Sequence, residues 1–191
     1  MTTYTETKFP LPPMRGLSQK QIDAHLGLYA GYVKNVNFLR EKIEELKAEP
    51  EKNALALSEL TRRMAFEWNG MRLHEYYFEN LGETSAPPNV FIQKISERWG
   101  TYDSWKNEFI ALGLMRGIGW VLLCIDEKTN IAFNIWVSDH EVGHLVGVKV
   151  ILAMDVWEHA YLLDYLPSER KKYIDAFMEN IAWNAVAKRL T

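Results

Sequence analysis

Apolar positions recur at three- and four-residue steps along the first third of the chain, with charged residues between them. Ile22, Leu26, Tyr29, Val33, Val36, Ile43 and Leu46 form one such stripe, the spacing of a helix that buries one face. Ser18 followed by Gln21 is a capping-box pattern that opens it. The stripe breaks at Ala48-Glu-Pro-Glu-Lys-Asn53 and resumes through Leu57, Leu60, Met64, Met71, His74, Phe78 and Leu81, with Gly82 placed to end the helix. Two long amphipathic segments joined by a short turn predict an antiparallel helical hairpin. Upstream, Pro10, Pro12 and Pro13 predict an extended lead-in. Ala86-Pro87-Pro88-Asn89 is the expected lobe boundary, because two prolines halt a helix and stiffen the connection.

Beyond that boundary the pattern shortens and then changes period. Helices are expected at about 90–98 and 101–116. Trp120–Ile125 and Ile131–Val137 are β-branched and aromatic runs joined by the polar Asp126–Asn130, which predicts a β-hairpin. Val148–Met154 reads as a third, buried strand. A closing helix is expected from Ser168 or Glu169 through Tyr173, Phe177, Ile181 and Val186. The expected fold class is α+β, with an N-terminal antiparallel α-helical hairpin lobe over 1–86 and a C-terminal α/β lobe over 87–191.

Composition narrows the functional classes. At 191 residues and 48% apolar, the chain has material for a core, which excludes disordered and collagen-like proteins. Twenty-two basic against 25 acidic residues give a net charge of −3 without a Lys/Arg run, so no nucleic-acid partner is expected. The single Cys124 rules out an internal disulfide and a Cys-rich zinc site. No apolar stretch is long enough to span a bilayer, and Met1 to Pro10 lacks the apolar run of a signal peptide. These features predict a protein of a reducing compartment, the cytoplasm, with no membrane partner.

The histidines carry the candidate chemistry. His25 falls on the face of Ile22 and Tyr29, and His74 on the seam of the second helix. The midpoint between them, 49.5, falls in the Glu49–Pro50 break. In an antiparallel hairpin both imidazoles therefore stand within about one helical turn, ~5 Å, in height. Asp155 follows the apolar run Val150–Met154, where an unpartnered carboxylate would be costly, and His159 lies four positions on, on the same side of one helical turn. Three histidines and one carboxylate suit a first-row ion such as iron or manganese. Taken singly, each is equally a hydrogen-bonded core histidine, or an Asp acting as N-cap; taken together, the four point to a metal.

Asp155-Val-Trp-Glu-His-Ala-Tyr161 resembles the D-x-W-E-H-A-Y signature of the iron/manganese superoxide dismutases. The resemblance extends over the N-terminal Leu-Pro segment, the helical hairpin, Gly117-Ile-Gly-Trp120, the three strands and the closing helix. It implies a three-stranded antiparallel sheet in the second lobe and one iron or manganese ion per chain between the lobes, held by His25, His74, Asp155 and His159. It also implies superoxide as substrate, disproportionated to dioxygen and hydrogen peroxide as antioxidant defence. By the same resemblance Tyr32 gates the channel and relays protons, Trp120 and Trp157 wall the pocket, and Glu158 and Tyr29 lie at a homodimer interface. Whether dimers pair into tetramers is left open.

Four departures from the family pattern stand out. His25 to Tyr32 is one residue shorter than the usual His-x7-Tyr, so a change of helix winding between them is expected. Tyr29 replaces a histidine and Leu162 a tyrosine. Gly70 occupies one position where the family carries a glutamine near the metal. His140 occupies the other, and is expected to contact metal-bound solvent and to set metal preference. His144 is expected to be a loop histidine. Two competing readings are a di-iron bundle, from Glu141-Val-Gly-His144, and a non-catalytic metal-binding or scaffold relative of the fold.

Overall fold

The computed structural model describes residues 2–83 and 85–190; Met1 and Thr191, the outer ends of the two expected lobes, lie outside them. The first stripe forms α1, Gln19–Leu46, and the second α2, Ala54–Glu79. They pack as the expected antiparallel pair. Ser18 caps α1, its hydroxyl accepting from the Gln21 amide at 3.1 Å. The capping box is half made, because the Gln21 side chain turns to the interior. The buried stripe is densest towards the end of the hairpin carrying the histidines, where Met71, Leu73, Tyr77 and Phe78 meet Ile22, Tyr29 and Val33. Leu57, Leu60 and Met64 are only half-buried near the turn.

The second lobe opens with α3, Asn89–Trp99, and α4, Tyr102–Gly113. The latter ends three residues earlier than the pattern implied. Chain reversal follows at Gly117 and Gly119, with φ of 133° and 138°; at Gly119 a Cβ would stand 2.0 Å from the Val137 carbonyl, so only glycine fits.

Three strands follow as expected, β1 (Gly119–Asp126), β2 (Ala132–Ser138) and β3 (Val148–Asp155), antiparallel in the order β2-β1-β3. Trp120 in the central strand stands opposite Val137 on one side and Asp155 on the other. Facing residues of an antiparallel pair share a face, so the sheet delivers Trp120 and Asp155 to the same side.

The closing segment departs from expectation. In place of one helix there are α5, Arg170–Glu179, and α6, Trp183–Lys188. The break has a tertiary cause. Ile181 bridges to Leu81, and Asn180 bonds the backbone of Arg15 through both side-chain atoms. The chain at 180–182 is thereby drawn into pairing with the end of the hairpin lobe.

Candidate metal centre

Each lobe contributes two members of one buried cluster. His25 comes from α1, His74 from α2, Asp155 from the last position of β3, and His159 from the 3-10 turn Glu158–Ala160 that follows. Asp155 and His159 meet as expected, though across a strand end and a 3-10 turn rather than along an α-helix. Asp155 uses both oxygens: Oδ1 accepts from the Trp157 amide at 2.8 Å, and Oδ2 faces the histidines. The N-cap-like reading of this residue is realised by Oδ1, while Oδ2 is left facing the three imidazoles.

The distances describe a convergent site. Asp155 Oδ2 lies 3.1 Å from His25 Nε2, 3.2 Å from His159 Nε2 and 3.7 Å from His74 Nε2. All four donor atoms fall within 4.8 Å of one another. Ligands about 2.1 Å from one first-row ion stand roughly 3–4 Å apart, so the spacing suits a single ion. His74 gives the sharper test. Its Nδ1–H donates to the Gly70 carbonyl at 2.6 Å, which leaves Nε2 as a lone pair, buried and without a hydrogen-bond partner. An orphaned buried acceptor is costly, and an ion beside Asp155 would satisfy it.

Electrostatics agree with that reading. Burial holds His25 and His74 below the ordinary histidine pKa, so both are neutral and able to ligate. Burial would raise the Asp155 carboxyl, but His159 and His25 outweigh it and hold the group well below the usual carboxylate range. His159 is the one member reached by solvent, its side chain 22% exposed, and Glu158 beside it is exposed.

A second layer surrounds the cluster. Trp120 Nε1–H donates to His140 Nδ1 at 2.9 Å, and His140 Nε2 meets the Tyr32 hydroxyl at 2.6 Å. Trp157 stacks at 4.9 Å on His140 and 5.6 Å on His159, while Trp120 stands edge-on to His74 at 5.2 Å. Both tryptophans therefore wall the site. An indole N–H only donates, so His140 Nδ1 is unprotonated. Burial lowers the His140 pKa to about 4, and the neutral ring then carries its proton on Nε2 and donates it to Tyr32. Both ring nitrogens thus have a protein partner, Trp120 on one side and Tyr32 on the other.

Other placements also differ from expectation. Tyr29 is enclosed at 1% exposure, its hydroxyl accepting from the Thr7 amide and donating to Glu75. In the single chain this side chain faces inward rather than outward. The expected irregularity between His25 and Tyr32 is absent, since α1 is unbroken α-helix through both. Seven positions subtend about 700°, some 20° short of two full turns, so a regular helix already presents both side chains on one face. His144 is exposed and bonds the His140 carbonyl at 2.9 Å, and Glu141 pairs with Arg62; among the described residues the cluster able to hold a metal is instead His25, His74, Asp155 and His159.

Three contributors escaped the sequence reading. The Tyr173 hydroxyl donates to the Asp155 carbonyl at 2.6 Å, Phe66 stands against His140 at 4.7 Å, and Gln21 bonds the backbone of the His159 turn. Only Gln21 left a signal, lying one turn before His25 on the same helix face.

The fold and cluster define a two-lobed α+β protein with a three-histidine, one-carboxylate site at the junction of its lobes. Residues 87–189 match the family described as iron/manganese superoxide dismutases, C-terminal domain. The chain is 36% identical to an iron superoxide dismutase of Cupriavidus metallidurans, covering 92% of this chain and 89% of that protein. It is 33% identical to an iron superoxide dismutase of Aquifex pyrophilus, over 96% and 90%. Against a manganese superoxide dismutase of Haloferax volcanii it is 34% identical, over 84% and 80%. The chain belongs to the iron/manganese superoxide dismutase family.

Proposed function

We propose that this chain is a superoxide dismutase that works with one iron or manganese ion per chain, held by His25, His74, Asp155 and His159, in antioxidant defence. The observation that carries this reading is the buried four-atom cluster with the His74 Nε2 lone pair left for an ion. Iron or manganese bound there supplies the one-electron exchange and, with a single negative ligand charge, leaves the site positive towards a small anion.

The surrounding residues supply protons and exclude bulk water. Burial raises the Tyr32 pKa, so the phenol stays protonated. Because His140 Nε2–H donates into the Tyr32 oxygen, the phenol's own proton is free to bond an anion or water in the pocket. Trp120 fixes the His140 tautomer, and Trp157 shields one side of the site. A scaffold relative without chemistry gives no account of this directed donor chain. We place the protein in the cytoplasm as a homodimer with lobes 1–86 and 87–191; the dimer is supported by Leu28, Leu162 and Leu163, exposed large apolar side chains on α1 and just after the His159 turn.

Reconstitution of the metal-free protein with iron and manganese separately tests the proposal. About one ion per chain and rapid removal of superoxide are expected with at least one metal. His74→Ala and Asp155→Ala should abolish metal retention, and stoichiometric metal with full activity in either variant would refute the ligand assignment.

A further inference from the structure

The turn that carries His159 belongs to no sheet and to no long helix. It is a 3-10 turn, Glu158–Ala160, followed by further turns through Tyr165. What places it is α1. Gln21 is fully buried, one helical turn before His25. Its Nε2–H donates to the His159 carbonyl at 2.7 Å, and its Oε1 accepts from the Leu163 amide at 3.0 Å. Two further bonds join the same segments, Ser18 amide to Asp164 at 2.7 Å and Tyr165 hydroxyl to the Gly16 carbonyl at 2.5 Å, but both are exposed. Water can replace an exposed bond; it cannot readily replace the Gln21 pair.

The geometry points to Gln21 as a positioning residue that fixes His159 against His25 and thereby sets how firmly the site holds its ion. This rests on the ligand assignment proposed above. A carboxamide is required, because one atom must donate to a carbonyl while the other accepts from an amide. The rings of His25 and His159 stand 5.0 Å apart, and the buried Gln21 side chain joins the two backbones that bear them. Groups that orient ligands without touching the ion typically change metal affinity by about 10–100-fold when removed.

The test compares the manganese-loaded wild type with Gln21→Glu, Gln21→Met and a control, Asn180→Leu. Glu keeps the size and the acceptor but loses the donor, and Met loses both. Asn180 is also a buried amide strap, but its bonds run to Arg15 and Ala176. Three quantities are read: manganese loss into excess chelator, the visible absorption of the oxidised metal, and the melting temperature of the metal-free chain. Both Gln21 variants should lose manganese at least about tenfold faster than wild type, with an altered absorption band. Asn180→Leu should lower the melting temperature and leave the loss rate and band unchanged. The inference is overturned if Gln21→Glu folds and holds manganese as wild type does, or if loss rates follow melting temperature across all three variants. A wild-type chain that binds neither iron nor manganese would instead sink the ligand assignment, and this inference with it.

Discussion

Burial dominates the chemistry of individual histidines here, outweighing the nearby Asp155 carboxylate. His140 is enclosed, and its pKa falls from the ordinary 6.5 to about 4; His25 and His74 are lowered by the same cause. The unfolded chain takes up these protons near pH 6.5, whereas the folded chain refuses them until lower pH. Stability of the metal-free protein is therefore full above pH 6.5 and falls as pH drops from 6.5 towards 4, each histidine contributing up to about 1.4 kcal/mol per pH unit. Urea unfolding of the metal-free protein at pH 7, 6 and 5 should show that decline. His140→Gln, which can still accept from Trp120 and donate to Tyr32, should make the decline shallower; an unchanged slope would mean that His140 is already protonated in the folded chain. A second residue-scale prediction concerns Gly70. A Cβ there would stand 2.6 Å from two carbons of the Tyr32 ring, so Gly70→Ala must displace the ring. Overpacking of this kind costs about 1–3 kcal/mol. The variant should keep its metal, because none of the four ligands moves with the ring, yet lose activity as Tyr32 parts from His140; activity at the wild-type level would show that the tyrosine's position is not critical.

At the scale of elements, α1 gathers more of the site than any other segment. Gln21, His25 and Tyr32 all lie along it, with Gln21 four and Tyr32 seven positions from His25. The spacing works because the helix is regular. Inserting one alanine between residues 28 and 29 would rotate Tyr32 by about 100° relative to His25. The expected outcome is a folded protein with its metal retained and the Tyr32–His140 bond lost, seen as a large drop in turnover. If turnover survives, the helix has absorbed the extra residue as a bulge. The sheet acts differently. Its register sets Trp120 opposite Asp155, and the 3-10 turn beyond the strand end brings His159 back over the carboxylate. A strand end and a tight turn thus do here what two turns of helix do in the first lobe.

For the whole molecule, the exposed flank of the site matters most. Glu158 is exposed beside His159, the one solvent-reached member of the cluster, and Leu162 and Leu163, a few residues on, are exposed too. On a 3-10 turn adjacent residues point about 120° apart, so Glu158 is poorly placed to serve its own neighbour, and in the proposed dimer it would turn to the His159 of a second copy. If the proposed dimer forms, Glu158→Ala should loosen both that interface and the hold of the cluster on its ion. Sedimentation with metal analysis decides this: a monomeric wild type of full activity would remove the interface role.

Much of this was legible before any coordinates. Periodicity marked the two long helices, the break between them put His25 and His74 at one height, and short β-branched, aromatic or apolar runs marked all three strands. These are local properties, set by which side chains along a short stretch must be buried. Other features were decided only in three dimensions. The Tyr32–His140 bond joins residues 108 apart, and the Gln21–His159 bond residues 138 apart. Tyr29 turned inward because the Thr7 amide and Glu75 were there to meet its hydroxyl. The closing helix broke in two where Asn180 and Ile181 pair with the other lobe. A sequence states which positions seek burial, whereas the partner of a buried polar group is settled by the packing of segments far apart in the chain. For this protein the sequence determined the two long helices, the three strands and the candidate ligand set; the tertiary structure decided which buried polar groups hold those side chains in place.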